Sequence, residues 1–189
     1  SSNMKVDLRP ILEDQLQFSA DVSYFTGDNL IQWAPDDAWV YSPQNILKSK
    51  SSVIRVSAQF LPILLPVVIR LGSESTESQI LSEGDDKGKS LLYVSPTSHW
   101  AEVELKLGKL AANLSVRRLG ERRYSYGEGA FLRPYERMDG ALNYCFSVGQ
   151  FNINLEGGAR NILDIKDLQS VYDYPEPGRT IFMAVGMEL

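Results

Sequence analysis

Apolar and polar side chains alternate along most of this chain, in short runs separated by turn-forming segments. The last run shows the pattern best. After Pro177-Gly178, the residues Ile181, Met183, Val185, Met187 and Leu189 fall on one side, with Thr180, Phe182, Ala184, Gly186 and Glu188 on the other. A period of two is the side-chain period of an extended strand. The second face is too poor in bulk to form half of a sandwich core. Small, mixed side chains of this kind suit the wall of a wide, wet lumen.

The same alternation predicts about nine strands. They run from Met4 to about Ile11, Leu16 to Trp33, Val53 to Phe60, Val67 to Gly72, Ala101 to Leu107, Leu110 to Arg117, Arg137 to Val148, Phe151 to Arg160, and Thr180 to Leu189. Gly27-Asp28-Asn29 interrupts the second, as a bulge or as the point where the strand leaves an apolar medium. Pro10 fits a strand end, and Pro62 and Pro66 exclude a helix between the third and fourth strands.

Connections alternate in length without exception. Glu13–Gln15, Leu61–Pro66, Gly108-Lys109 and Gly149-Gln150 are short, whereas Ala34–Ser51, Glu74–Ser98, Gly120–Pro134 and Asn161–Gly178 are long. One end of the sheet therefore carries tight turns and the other carries long loops. Structureless loops of this length count against a compact soluble domain. They are the rule on the outer side of a membrane barrel, which has short turns on its inner side. A β-sandwich has no reason to segregate its loops this way.

Charge accumulates on the face opposite the apolar one. Lys5, Asp7, Arg9, Asp21, Arg55, Arg70, Glu102, Glu104, Lys106, Arg117, Arg137, Asp139, Glu156 and Arg160 all alternate with apolar neighbours. The chain of 189 residues has a formal net charge of −5, which offers no basic footprint for nucleic acid. No apolar run approaches the roughly 18 residues of a membrane-crossing helix, a test that alternating strands escape. No signal peptide opens the sequence, so a secreted protein of this kind is expected to be a mature chain or a piece of one.

Candidate chemistry is sparse. His99 is the single histidine and Cys145 the single cysteine, which leaves no zinc-ligand spacing and no complete Ser-His-Asp set. Asp36-Asp37 and Asp85-Asp86 are calcium candidates weighed against solvated loop acids. Glu102 and Glu104, with Lys106 beyond, suit a charge ladder better than a glycosidase pair. Tyr24, Trp33, Trp100, Tyr135, Phe146 and Phe151 sit near strand ends, where an interfacial aromatic girdle is expected. No enzyme and no cofactor is read from the sequence.

The end of the chain resembles the C-terminal end of TonB-dependent outer-membrane receptors. Tyr172-Asp173-Tyr174-Pro175-Glu176-Pro177-Gly178-Arg179-Thr180 matches the family's Pro-x-Pro-Gly-Arg-Thr stretch before the closing strand, and Asn161-Ile162-Leu163-Asp164 resembles its Asn-Leu-Leu/Phe-Asp motif. The last residue is Leu189, where the family usually has an aromatic. The resemblance implies an antiparallel transmembrane β-barrel of about 22 strands around a plug. Residues 1–189 would form its C-terminal part, with the plug and N-terminal strands outside them. Nine strands is an odd number, and bacterial barrels close with an even one.

In that reading Asn161, Asp164, Pro175, Pro177, Gly178 and Arg179 are structural signature residues. Candidate ligand contacts are Trp39 and Tyr41 in the first long connection and Arg122, Arg123, Tyr124 and Tyr126 in the third. Implied partners are the remainder of the barrel and its plug, TonB acting through the plug, outer-membrane lipid, and a small-molecule or metal-chelate ligand. The ligand could be an iron-siderophore, haem, cobalamin or an oligosaccharide. The alternative is a soluble β-barrel binding or structural protein with an apolar interior.

Overall fold

The computed structural model describes residues 2–8, 15–35, 40–127, 129–166 and 177–188. Nine strands form one sheet: β1 (Ser2–Leu8), β2 (Leu16–Pro35), β3 (Tyr41–Phe60), β4 (Val67–Ile80), β5 (Thr97–Leu107), β6 (Leu110–Leu119), β9 (Tyr135–Val148), β10 (Phe151–Arg160) and β11 (Thr180–Glu188). A separate ribbon of β7 (Arg122–Arg123) and β8 (Phe131–Leu132) lies between β6 and β9 in sequence. Every strand of the main sheet pairs antiparallel with its neighbour in chain order. The predicted all-β, nine-stranded meander is the observed one. No helix is long and apolar enough to cross a membrane among the described residues.

The register turns the alternation of each strand into two faces of one sheet. One lateral row reads Leu16, Phe60, Ile69, Val103, Leu114, Gly140, Ala159 and Ile181. The next reads Val67, Leu105, Ala112, Leu142, Gly157 and Met183, and the one after it Leu107, Leu110, Tyr144, Leu155 and Val185. A slip of one residue in any strand would throw its apolar set onto the charged face.

The apolar face is uncovered. Leu142, on a strand paired on both sides, is 58% exposed, and Ile181, Met183 and Val185 are 77%, 87% and 74% exposed. Soluble proteins rarely show a contiguous apolar surface of this extent. The buried apolar side chains are Val53, Ile80, Leu91, Leu92, Ala130 and Leu132, and all but Val53 lie in or beside the long connections. A dry apolar interior, which the soluble-barrel alternative requires, is not formed by the described residues.

The first lateral row also shows the tilt of the strands. It begins at Leu16 and Phe60, the short-turn ends of β2 and β3, and finishes at Ile181, beside the long-connection end of β11. A sheet staggered in this sense closes into a barrel with tilted strands. Two of its short turns use glycine of necessity. Gly108 and Gly149 have φ of 59° and 61° at the first of two turn residues, the position that a type II′ hairpin reserves for glycine.

The long-connection end differs from expectation in two places. The polar segment Ala34–Ser51 is mostly paired, because β2 and β3 run 20 residues each, with Pro35 opposite Tyr41. Likewise β4 continues through Glu74 to Ile80, so only residues 81–96 connect it to β5. These extensions are mostly polar, and their apolar residues, such as the adjacent Ile46 and Leu47, do not alternate, so the period of two fades although backbone pairing continues. Twenty residues extend about 65 Å, about twice the roughly 30 Å of a bilayer's hydrocarbon, so the β2–β3 hairpin is longer than a membrane crossing requires. Gly27-Asp28-Asn29 is no bulge: Asp28 pairs with Lys48 and Leu30 with Ile46, leaving the register unchanged around Asn29 at φ 56°.

Candidate functional site

The face opposite the apolar one carries a ladder of ion pairs across neighbouring strands. Arg55 on β3 reaches Glu74 on β4 at 2.6 Å and Asp21 on β2 at 3.3 Å. Arg70 on β4 lies 3.4 Å from Glu102 and 3.3 Å from Glu104, and Lys106 lies 2.9 Å from Glu104. Asp21 and Glu104 are 26% and 23% exposed, while Arg55 and Lys106 are 51% and 68% exposed. Water still reaches them, so each pair contributes only about 0–1 kcal/mol. Arg55→Met should therefore change urea stability of the refolded barrel by less than about 1 kcal/mol; a larger loss would show that the ladder carries the fold.

Beyond the ladder a hollow of about 380 Å³ opens on the same face. Its walls include Trp100 and Glu102 of β5, Arg117 of β6, and Tyr135, Arg137 and Asp139 of β9. Gly72 pairs with Trp100, and a Cβ there would overlap the indole, so the missing side chain lets the ring lie against β4. Arg117 and Arg137 are direct cross-strand partners. Asp139 accepts from Arg137 Nε at 2.9 Å and from the Asn161 backbone N–H at 2.8 Å.

The hollow corrects the girdle expectation for two aromatics. Trp100 alternates with Ala101 and shares its face with Glu102, while Tyr135 pairs with Leu119 and shares its face with Arg137. Both therefore belong to the charged side. Tyr144 and Phe146 do lie on the apolar face, near its short-turn edge, with ring centroids 5.7 Å apart. His99 sits within β5, accepting from or donating to Ser73 Oγ at 3.0 Å, in an apolar-side row of Ser73, Arg118 and Glu136 that bounds the apolar rows.

The candidate ligand contacts do not gather at one place. Trp39 lies outside the described residues, as do Asp36, Asp37 and Pro175. Tyr41 opens β3 near the hairpin tip. Arg122 is 3% exposed, with its guanidinium 4.9 Å from the Tyr135 ring centroid, and Arg123 lies 4.5 Å from that of Phe131. Tyr124 donates its backbone N–H to Ala130 at 3.1 Å. Tyr126 packs against the small cluster of Ile80 and Leu91, and burial, with Asp86 nearby, pushes its hydroxyl pKa upward. Asp86 itself is paired with Lys89 at 2.7 Å. No three His, Cys, Asp or Glu side chains converge as metal ligands among the described residues.

No protein-family model matches this sequence, and no curated protein matches it significantly. Solved structures do resemble it. The unliganded ferric citrate transporter FecA aligns with a TM-score of 0.73 at 18% identity, over 93% of this chain and 29% of the transporter. BauA, the ferric preacinetobactin receptor of Acinetobacter baumannii, aligns with a TM-score of 0.73 at 11% identity, over 98% of this chain and 28% of BauA. The copper transporter OprC gives 0.69 at 15% identity, over 97% and 30%. The fold is that of a section of a TonB-dependent receptor barrel. The chain spans under a third of each of these relatives.

In this barrel section the signature residues of the last long connection come together at its two ends. Asn161 is 2% exposed, and its Nδ2 donates to the carbonyls of Ile165 at 3.0 Å and Pro177 at 3.3 Å, while Oδ1 accepts from Ile165 N–H at 3.1 Å. Asp164 Oδ1 accepts the Arg179 N–H at 2.9 Å, and Gly178 lies against the same carboxylate. Entry and exit of the connection are thus tied side by side.

The Arg179 N–H bond, followed by the Lys166 and Arg179 charges, holds the Asp164 pKa below the ordinary carboxylate value. A depressed folded pKa means that this contribution is present above the unfolded pKa and is lost as pH falls through the folded one. Protease cleavage within residues 161–179 should accordingly accelerate below about pH 4, and Asp164→Asn should remove that dependence. Equal acid sensitivity in both proteins would refute the assignment.

Proposed function

We propose that residues 1–189 are the C-terminal part of a TonB-dependent receptor barrel in the bacterial outer membrane. They supply wall and outer connections through which a scarce nutrient is captured and admitted. The two-faced register carries this reading: uncovered apolar rows for lipid, and a charged, hydrated wall behind them. The tops of the strands would supply the ligand-facing connections, and the ladder of Arg55, Arg70, Glu102 and Glu104 would line the passage.

Among the described residues β1 and β11 are the edges of the sheet, and in this reading strands from the rest of the barrel would pair with them, since hydrocarbon does not tolerate open sheet edges. The plug is the proposed occupant of the lumen, and TonB the proposed source of energy acting through it. Relatives described as ferric citrate and copper transporters and a ferric preacinetobactin receptor support a chelated metal, an iron-siderophore first, as the cargo. Haem, cobalamin and oligosaccharides are the other candidates.

Deletion of the gene should abolish accumulation of one labelled cargo among these classes, and the protein should fractionate with the outer membrane. Recovery in the soluble fraction, or unchanged accumulation of every class, would overturn the proposal.

A further inference from the structure

One short connection differs from the others in composition. Glu13-Asp14-Gln15, Gly108-Lys109 and Gly149-Gln150 are polar, whereas Leu61-Pro62-Ile63-Leu64-Leu65-Pro66 has no polar side chain at all. Its backbone is tied down on both sides. Leu61 N–H donates to the Gln15 carbonyl at 2.7 Å, Val67 N–H to that of Leu65 at 2.8 Å, and Lys106 N–H to that of Pro66 at 2.9 Å. Pro62 and Pro66 fix φ near each end, which leaves the turn little freedom to fold its side chains away. Leu64 is 92% exposed, more than any other large apolar side chain among the described residues, and Ile63 and Leu65 are exposed with it.

The turn also stands where the apolar face falls short. Counted from the polar row of Ser73, His99 and Arg118, β5 has four apolar positions, Ala101, Val103, Leu105 and Leu107, but β4 has only three, Leu71, Ile69 and Val67. The row of Leu107, Leu110 and Tyr144 therefore has no member within β4. The Lys106–Pro66 bond carries the ladder one residue past Val67, so Leu65 comes next in that row, with Ile63 and Leu64 beyond it. Val67 to Leu71 covers about 13 Å of strand, against an apolar band about 25 Å tall on a membrane barrel.

We infer that the β3–β4 turn is a membrane anchor, with Ile63, Leu64 and Leu65 inserted at the acyl boundary of the leaflet on the short-turn side. Apolar side chains carried into that boundary hold a segment there in proportion to the area they bury, so the turn fixes the depth of this part of the wall. Lipid is the occupant because the turn continues the apolar face that lipid would cover. It also carries no charged or hydrogen-bonding side chain by which a protein partner would be selected. The inference rests on the receptor proposal, in which that face meets the bilayer.

The test places one bimane-labelled cysteine at a time in the full barrel carrying Cys145→Ser, folded into phosphatidylcholine vesicles with or without bromine on the acyl chains. Leu64→Cys and Ile63→Cys should each lose most of their emission to the brominated lipid and little to aqueous iodide. Lys109→Cys, at the polar β5–β6 turn, should show the reverse. Iodide quenching at either turn position would overturn the inference by placing the turn in water. Protection from both quenchers would overturn it in favour of a protein cover, from the plug or from a second protein.

Leu142→Cys, mid-strand in β9, reports separately on the receptor proposal. Quenching there by brominated lipid, alongside a turn quenched by iodide, keeps the barrel in the membrane and removes only the anchor. A Leu142→Cys label that brominated lipid leaves bright removes the proposal on which the anchor rests.

Discussion

Leu142→Arg should prevent this section from assembling in a bilayer, whereas Asn143→Arg, one residue along the same strand, should be tolerated. Leu142 lies mid-strand in β9, in the apolar row with Ala112, Gly157 and Met183. Asn143 lies in the opposite row with Ala111 and Glu156. An arginine on the lipid side of a barrel near the bilayer midplane costs about 2–4 kcal/mol, while a lumen position is solvated. In addition, Asn143→Arg would face Glu156 directly and gain an opposite charge. Folding of the full barrel into lipid vesicles, followed by heat-modifiable mobility, should give a low yield for the first variant and near-normal yield for the second. Similar yields would mean that the apolar rows do not face lipid, and the fold's relation to the membrane would have to be reversed.

Asn161→Ala is the second change with a large expected effect. The side chain is almost fully buried and makes three hydrogen bonds, to both backbone groups of Ile165 and to the Pro177 carbonyl. Alanine removes them and leaves part-buried backbone groups of Ile165 and Pro177 without these partners, at about 1–3 kcal/mol. The residue also sits at φ 50°, which asparagine tolerates better than alanine. The loss should appear as rapid proteolysis between residues 161 and 179 in a barrel whose strands remain resistant. Asn161→Gly restores the backbone conformation without the bonds, and should be intermediate if strain contributes. Protease resistance equal to wild type would assign the connection's order to contacts outside this anchor.

The strands were legible because one physical rule governs them. Wherever a strand separates an apolar surface from a wet one, as in Leu110–Val116 or Arg137–Val148, alternation is enforced at every residue and the register follows from it. Where both sides are wet, the rule lapses. Ser42 to Ser52 and Glu74 to Gln79 look like loop in composition, yet pair over their length because a backbone ladder needs no apolar face. The fold class and the chain-order meander were thus readable, but the height of the outer hairpins was not.

The candidate site was less legible for a different reason. Arg122 and Arg123 form a conspicuous basic pair in sequence, but their guanidinium groups lie over Tyr135 and Phe131 and help hold the third long connection in place. The hollow instead combines residues from β5, β6 and β9 that are far apart in the chain. Alternation does put Trp100 on the face of Glu102, and Arg137 on that of Asp139. Only the cross-strand register brings Arg117 opposite Arg137. The absent side chain at Gly72 gains meaning only beside Trp100.

Asp139 is shared between two neighbours that would otherwise be independent. One carboxylate oxygen serves Arg137 in the wall and the Asn161 amide at the root of the last outer connection. Lifting that connection would free the oxygen to neutralise the arginines more fully. By thermodynamic reciprocity, any solute that binds Arg137 more tightly while the connection is seated must in turn hold that connection down.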